Sequence, residues 1–377
     1  MSAKDKKGGT TNATASRLRE LMGELPQCCN DFLDGIADRA SIKTRLAYAY
    51  DLRVFLGWLV NGTPRAASPT DITLDDIGKL TARDIERYQS YLTYYTSPVI
   101  KQGPAAAQRQ EGSSGTLDQC QEGSSGTLAA ARWRENTAQG KMRKLSSLRS
   151  FFKYLFLHGC IKGNVAGLVP LPKLKEKPIV HLEPDESARL LDITESGESL
   201  TEHQLAYHAK LSCRDTAILT LMLGTGIRVS ECVSLNISDV NFNENAFRVT
   251  RKGGDAVILY FSDEVAGALR EYLAERKMII PLEGHEDALF LSIQRRRLTA
   301  RAVENLTGKY ARTAAPLKKI TPHKLRSTYG TQLYRESGDI YLVADVLGHA
   351  DVNTTRRHYA AINEDRRRQA SKLVKLR

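Results

Sequence analysis

A mainly α-helical chain with one small β-sheet, divided between two domains, is predicted by three observations. At 377 residues the chain exceeds the size at which one hydrophobic core usually stops growing. Apolar residues recur at helical spacing through most of its length. Two β-rich runs occur together, FRV and AVILYF in FRVTRKGGDAVILYF, around a Lys-Gly-Gly turn.

Residues 1–15, MSAKDKKGGTTNATA, are small, polar and basic, and predict a disordered tail. A helical first domain over 16–168 follows. Its helices are expected in SRLRELMGELPQCCNDFLDGIADR, SIKTRLAYAYDLRVFLGWLV, LTARDIERYQSYLTYY and NTAQGKMRKLSSLRSFFKYLFLHG. Thr81 and Asp84 have capping-box spacing for the third. Between the third and fourth, about 97–135, Gly, Ser, Ala and Gln dominate, and QEGSSGTL occurs at 110–117 and again at 121–128. One duplicated octamer is too short for a solenoid repeat, so a flexible insertion is expected. VPLPKLKEKP, 169–178, carries prolines at 170, 172 and 178 and suits an exposed linker. The second domain runs over 179–377. Within it RDTAILTLMLGTG is an apolar helix closed by glycine, and Gly348 ends the helix IYLVADVL.

Lys and Arg number 55 against 43 Asp and Glu, a net charge of +12. Such a surplus points to a polyanionic partner, nucleic acid before others. Six cysteines, at 28, 29, 120, 160, 213 and 232, form no CxxC and have no histidine at zinc-site spacing. Free thiols in a reducing compartment are expected. No leader and no apolar run of eighteen residues is found, so a cytoplasmic protein without a membrane partner is expected. The P-loop pattern is absent as well.

Four short stretches carry candidate chemistry. In ITPHKLRSTYGTQLY, Thr321 and Pro322 begin a helix, and His323 and Arg326 share one face near its amino end, where an anion is favoured. By itself this HxxR pair equally fits an ordinary surface helix. TGIRVSE presents Arg228 straight after a glycine-ended helix, although Arg228 and Glu231 have the spacing of a plain surface ion pair. Lys252 sits at the hairpin tip. In LGHADVNTTRRHYA, 347–360, His349 lies on the loop after Gly348, Asp351 caps a short helix, and Tyr359 stands near its far end. A phenol holds its proton until about pH 10, so Tyr359 needs a positive field to act as a nucleophile. Two arginines, two histidines, a lysine and a tyrosine together suit a phosphodiester, with each guanidinium able to grip nonbridging oxygens.

In TGIRVSE, the Lys of TRKGG, HKLRSTYGTQL and LGHADVNTTRRHY, in their order and spacing, the chain resembles the tyrosine site-specific recombinases of the phage integrase family. Each motif is weak alone and the set is specific. The motifs span about 228–359, and the helical first domain resembles the family's core-binding domain, followed by a mixed α/β catalytic domain.

The resemblance implies that Tyr359 attacks a DNA phosphate and forms a 3′-phosphotyrosyl link. Arg228, Arg326 and His349 would bind the scissile phosphate, His323 would assist proton transfer, and Lys252 would protonate the departing 5′-oxygen. No metal and no cofactor is implied. Tyr359 lies ten residues after His349 where some members have nine, which leaves His358 as a neighbour without a role. An amino-terminal arm-binding domain, found in larger phage members, has no counterpart in 1–15. The implied partners are double-stranded DNA carrying a specific recombination site, further copies forming a dimer per site and a homo-tetramer on DNA, and a directionality factor. Lys43, Arg45, Lys141 and Lys144 are the DNA-binding candidates of the first domain. The basic end RRRQASKLVKLR is expected to pack on a neighbouring protomer. Integration and excision of a mobile element is the expected role. Two alternatives stand beside it: a type IB topoisomerase-like enzyme, and a DNA-binding relative without catalysis.

Overall fold

The computed structural model describes residues 3–97, 132–174, 179–251 and 254–348. They fall into two compact units, Lys4–Lys175 and a second that runs from Glu176 onward. The architecture is mainly helical with a small antiparallel sheet, as the sequence predicts.

The first unit is built from α1 (Ala3–Met22), α2 (Gln27–Gly35), α3 (Ile42–Gly62), α4 (Leu74–Gly78), α5 (Ala82–Tyr91), β1 (Tyr94–Ser97), β2 (Arg132–Glu135), α6 (Ala138–Leu157) and α7 (Val165–Leu168). Ser41 caps α3 by accepting from the Thr44 N–H, and Thr137 caps α6 by accepting from the Gly140 N–H. The box at α5 forms as its spacing predicts, with the Thr81 N–H donating to Asp84 at 2.9 Å. Phe151 and Phe152 of α6 are fully buried against Phe32 of α2 and Phe55 of α3. Burial of each such ring contributes about 1.5–3 kcal/mol. Asp51 of α3 is buried among them, held by Arg143 at 2.6 Å and by the Ser147 hydroxyl at 2.7 Å. The pair ties α3 to α6.

Three expectations for this unit change. The tail 1–15 is not disordered from Ala3 onward, because α1 continues through it. Leu18 and Leu21 anchor the carboxyl half of α1 in the core, and elongating an existing helix costs far less than nucleating one. The stretch 16–39 is not one helix either: the chain turns over 23–26 and restarts with Pro26 as the α2 N-cap. The insertion, thirdly, is bounded by a paired ribbon rather than by loop, with Tyr94 opposite Glu135 and Ser97 opposite Arg132. Both duplicated octamers lie outside the described residues.

The second unit contains α8 (Pro184–Ser196), α9 (Glu202–His208), α10 (Ser212–Thr225), α11 (Val229–Ser234), β3 (Val240–Asn241), β4 (Ala246–Thr250), β5 (Ala256–Tyr260), α12 (Asp263–Lys277), α13 (Ala300–Ala314), α14 (Pro322–Ser337) and α15 (Ile340–Leu347). The sheet order is β3-β4-β5, and β4 and β5 pair antiparallel with Thr250 opposite Ala256. Almost every face of α10 is buried, as its apolar sequence requires. Its buried carboxylate, Asp215, is held by Arg214 at 2.6 Å, the Tyr310 hydroxyl at 2.9 Å and Lys309 at 3.7 Å. This central helix fixes where its own end, at Gly226, delivers the next residues. Among the described residues no helix is long and apolar enough to cross a membrane.

Candidate active site

Two turns and one helix start meet around the carboxyl end of α15. Gly226 closes α10 in the left-handed region, at φ +61°. A Cβ built there would stand 2.5 Å from the Tyr329 ring and 3.0 Å from Leu347, so only glycine allows this approach. The turn delivers Arg228 as the residue ahead of α11. Its backbone N–H donates to Glu231 at 3.0 Å and its Nη1 donates to the same carboxylate at 2.9 Å. The pair is not at the surface, as Glu231 is buried. Arg228 Nη2 reaches the carbonyls of Leu347, at 3.3 Å, and Gly348, at 2.9 Å.

Arg326, on the second turn of α14, is buried at 6% exposure and donates to the carbonyls of Gly226 and Leu347. The Leu347 carbonyl is therefore shared by both arginines, which lie far apart in the chain. Helix ends leave their last carbonyls unpaired and carry negative dipole density. The end of α15 collects guanidinium groups for that reason. Bonds to carbonyls leave the formal positive charge in place, although Arg228 also shares its charge with the Glu231 carboxylate.

His323 lies at the amino end of α14, exposed, where it lines a groove of about 710 Å³. Val229, the neighbour of Arg228, lines the same groove, with Arg301, Arg312, Lys318 and Lys319. Sequence reasoning missed these four cations, although Lys318 and Lys319 directly precede the ITPHKLR stretch. Arg251 is a second omission: it donates to the Val346 carbonyl at 3.0 Å and joins the same helix end. Tyr329 also stands close to this cluster. Burial pushes its phenol up.

The structure thus brings Arg228 and Arg326 together and sets His323 on the adjoining groove. Lys252, His349 and Tyr359 lie outside the described residues, as do Asp351 and His358. Of the first-domain candidates, Lys43 is exposed at the start of α3. Arg45 pairs with Asp34 at 2.6 Å. Lys141 donates to the Thr93 hydroxyl at 2.8 Å, and Lys144, buried, donates to Asn136 at 3.2 Å. Both α6 lysines thereby fasten that helix to the segments flanking the ribbon.

Residues 181–366 match the phage integrase family. A tyrosine recombinase XerC of Thermodesulfovibrio yellowstonii is 35% identical over 217 residues, covering 57% of this chain and 68% of the relative. A tyrosine recombinase XerC of Vibrio cholerae is 30% identical over 290 residues, covering 73% of this chain and 87% of the relative. Among solved structures, part of the Tn1549 transposon integrase in complex with circular intermediate DNA matches with a TM-score of 0.58 at 17% identity, over 88% of this chain and 94% of that one. A λ integrase dimer bound to a core site matches with a TM-score of 0.55 at 16% identity, over 88% and 94%. At such identities the structures show the shared fold. The sequence relatives, joined to the clustered arginines, show that the chain belongs to the phage integrase family and is a tyrosine recombinase, an enzyme of DNA cleavage and rejoining.

Proposed function

We propose that this chain recombines duplex DNA at a specific site through a 3′-phosphotyrosyl intermediate. The observation that carries this reading is the shared Leu347 carbonyl, which holds the guanidinium groups of Arg228 and Arg326 side by side. In that position they can grip two nonbridging oxygens of one phosphate and hold the charge that grows in the transition state. His349 completes the phosphate clamp. The Tyr359 oxygen attacks phosphorus while its proton passes to His323. As the bond from phosphorus to the 5′-oxygen breaks, Lys252 protonates that oxygen. One phosphoester replaces another, so the step is nearly isoenergetic and rejoining follows by the reverse path without nucleotide. The positive field of fixed side chains takes the place of metal ions in this scheme.

The groove lined by Arg301, Arg312, Lys318 and Lys319 supplies backbone contacts beside the scissile phosphate. Lys43, Arg45, Lys141 and Lys144 would hold DNA from the first unit. Two copies per site and four in the synapse, working in the cytoplasm with a directionality factor on a mobile element, complete the reading.

The experiment is a nicked suicide duplex carrying the recombination site. Wild type should accumulate a covalent protein–DNA product, and Tyr359→Phe should bind with unchanged affinity and give none. A wild type that binds this site without any covalent product would leave the chain a DNA-binding protein. Strand exchange between two labelled duplexes separates recombination from topoisomerase-like relaxation, which needs one duplex alone.

A further inference from the structure

Arg251 occupies the turn between β4 and β5, and the proposed chemistry leaves it without a task. Its backbone belongs to the hairpin: the Arg251 N–H donates to the Asp255 carbonyl at 2.8 Å, and the Gly254 N–H donates to the Arg251 carbonyl at 3.1 Å. Its side chain leaves the hairpin. Nη2 donates to the Val346 carbonyl at 3.0 Å, 95 positions further along the chain. The guanidinium also lies close against Gly348, where a Cβ would stand 2.1 Å from Nη1. Arg251 Nε is buried and has no hydrogen-bond partner among the described residues.

One side chain thus spans from the residue before Lys252 to the residue before His349. The carbonyls of 346, 347 and 348 receive Arg251, the Arg228–Arg326 pair and Arg228 respectively. The hairpin turn is consequently fixed to the same helix end that orders the phosphate-gripping arginines. An arginine suits this task, since its planar fork can satisfy a helix carbonyl while its permanent charge meets the negative end of the dipole.

We propose that Arg251 is a positioning residue of the cleavage step: it latches the β4–β5 turn to the end of α15 and thereby sets where Lys252 stands when the 5′-oxygen departs. This inference rests on the cleavage reading given above. In that step the bond from the Tyr359 oxygen to phosphorus forms and the bond from phosphorus to the 5′-oxygen breaks. The departing electron pair takes a proton from the Lys252 ammonium, and the phenol proton leaves to His323. A slack hairpin loses the proton donor and forces the oxygen to leave as an alkoxide, a far stronger base than a thiolate. A sulfur leaving group, with a thiol pKa of about 8.5, departs without a proton.

The test compares Arg251→Ala with wild type on suicide duplexes carrying either the natural 5′-oxygen or a bridging 5′-sulfur at the scissile position. The expected result has three parts. Arg251→Ala binds DNA within about twofold of wild type, forms covalent product at least about tenfold more slowly on oxygen, and matches wild type on sulfur. Equal rates on oxygen overturn the proposal, and so does equal slowing on both substrates, which would assign Arg251 to phosphate binding or general folding. Should Arg251→Ala fail to fold, Arg251→Gln keeps one donor and similar packing and carries the same pair of readings. Absence of covalent product from wild type on both duplexes would instead sink the cleavage reading itself.

Discussion

Arg45, Arg53 and Arg143 of the first unit face carboxylates, whereas the arginines around the end of α15 in the second unit converge on carbonyls, with Arg228 pairing to Glu231 besides. In the first unit Arg45 meets Asp34 at 2.6 Å, Arg53 meets Glu24 at 2.7 Å and Arg143 meets Asp51 at 2.6 Å. In the second, Arg251 donates to Val346, Arg228 to Leu347 and Gly348, and Arg326 to Gly226 and Leu347. A carboxylate cancels the charge it binds, and a carbonyl orients a guanidinium without cancelling it. The same side chain therefore serves as a clasp in one unit and as preorganised positive charge in the other. Preorganisation matters because fixed donors need not reorient as charge develops on phosphate.

The largest expected effect comes from removing one carbonyl-held guanidinium. Arg326→Ala should lower the rate of covalent-complex formation by about 10³-fold, the loss seen when one such donor is deleted. It should also destabilise the second unit by about 1–3 kcal/mol, because in a buried place the Gly226 carbonyl loses this donor and the Leu347 carbonyl keeps only Arg228. Arg326→Lys sharpens the contrast: it restores the charge but not the fork. Cleavage by the lysine variant should stay far below wild type while its thermal midpoint recovers in part. If lysine restores both equally, charge alone matters and the shared carbonyl geometry does not.

The difference between the two units also marks what sequence can reveal. Local signals were legible: Thr81 and Asp84 box the start of α5, Gly348 ends α15, and the two β-rich runs pair as β4 and β5. Each depends on neighbours within a few residues. Arg228 and Arg326 were legible through their motifs, although their shared carbonyl was not. Arg251 was invisible, because its partner lies 95 positions away and hairpin-turn cations are ordinarily solvated. The β1–β2 ribbon was hidden for a similar reason: pairing Ser97 with Arg132 joins residues flanking a stretch of polar, glycine-rich sequence. The restart of the chain at Pro26 was written in the sequence, but the apolar spacing running through it suggested continuity.

A clasp should fail as a clasp, through stability rather than through chemistry. Asp51 is buried and holds Arg143 and Ser147, so Asp51→Ala leaves a hydroxyl and a guanidinium without their acceptor. Breaking a fully buried pair costs about 3–5 kcal/mol. Arg143 is half exposed and can recruit water, which reduces the expected loss to about 2 kcal/mol, a fall of roughly 4–8 °C in the first unit's thermal midpoint. Covalent-complex formation below that midpoint should remain close to wild type. A large cleavage defect in a folded Asp51→Ala protein would show that the first unit's clasps reach into the chemistry.

The smallest effect tests whether a paired arginine can be turned back into available charge. Asp34 is mostly exposed and its bond to Arg45 is a surface ion pair, worth no more than about 1 kcal/mol. Asp34→Ala should hence leave the thermal midpoint nearly unchanged. Its effect should appear in DNA binding, since the Arg45 guanidinium loses the carboxylate that neutralises it. Each additional phosphate neutralised by the protein steepens the fall of log affinity with log salt concentration by about 0.9. The variant should therefore bind more tightly at low salt and lose that advantage as salt rises. Lys43, exposed on the first turn of α3, provides the opposite arm: Lys43→Ala should make the slope shallower by about the same 0.9. Unchanged slopes in both variants would mean that the start of α3 does not meet DNA, and that the cations of the first unit serve its own packing.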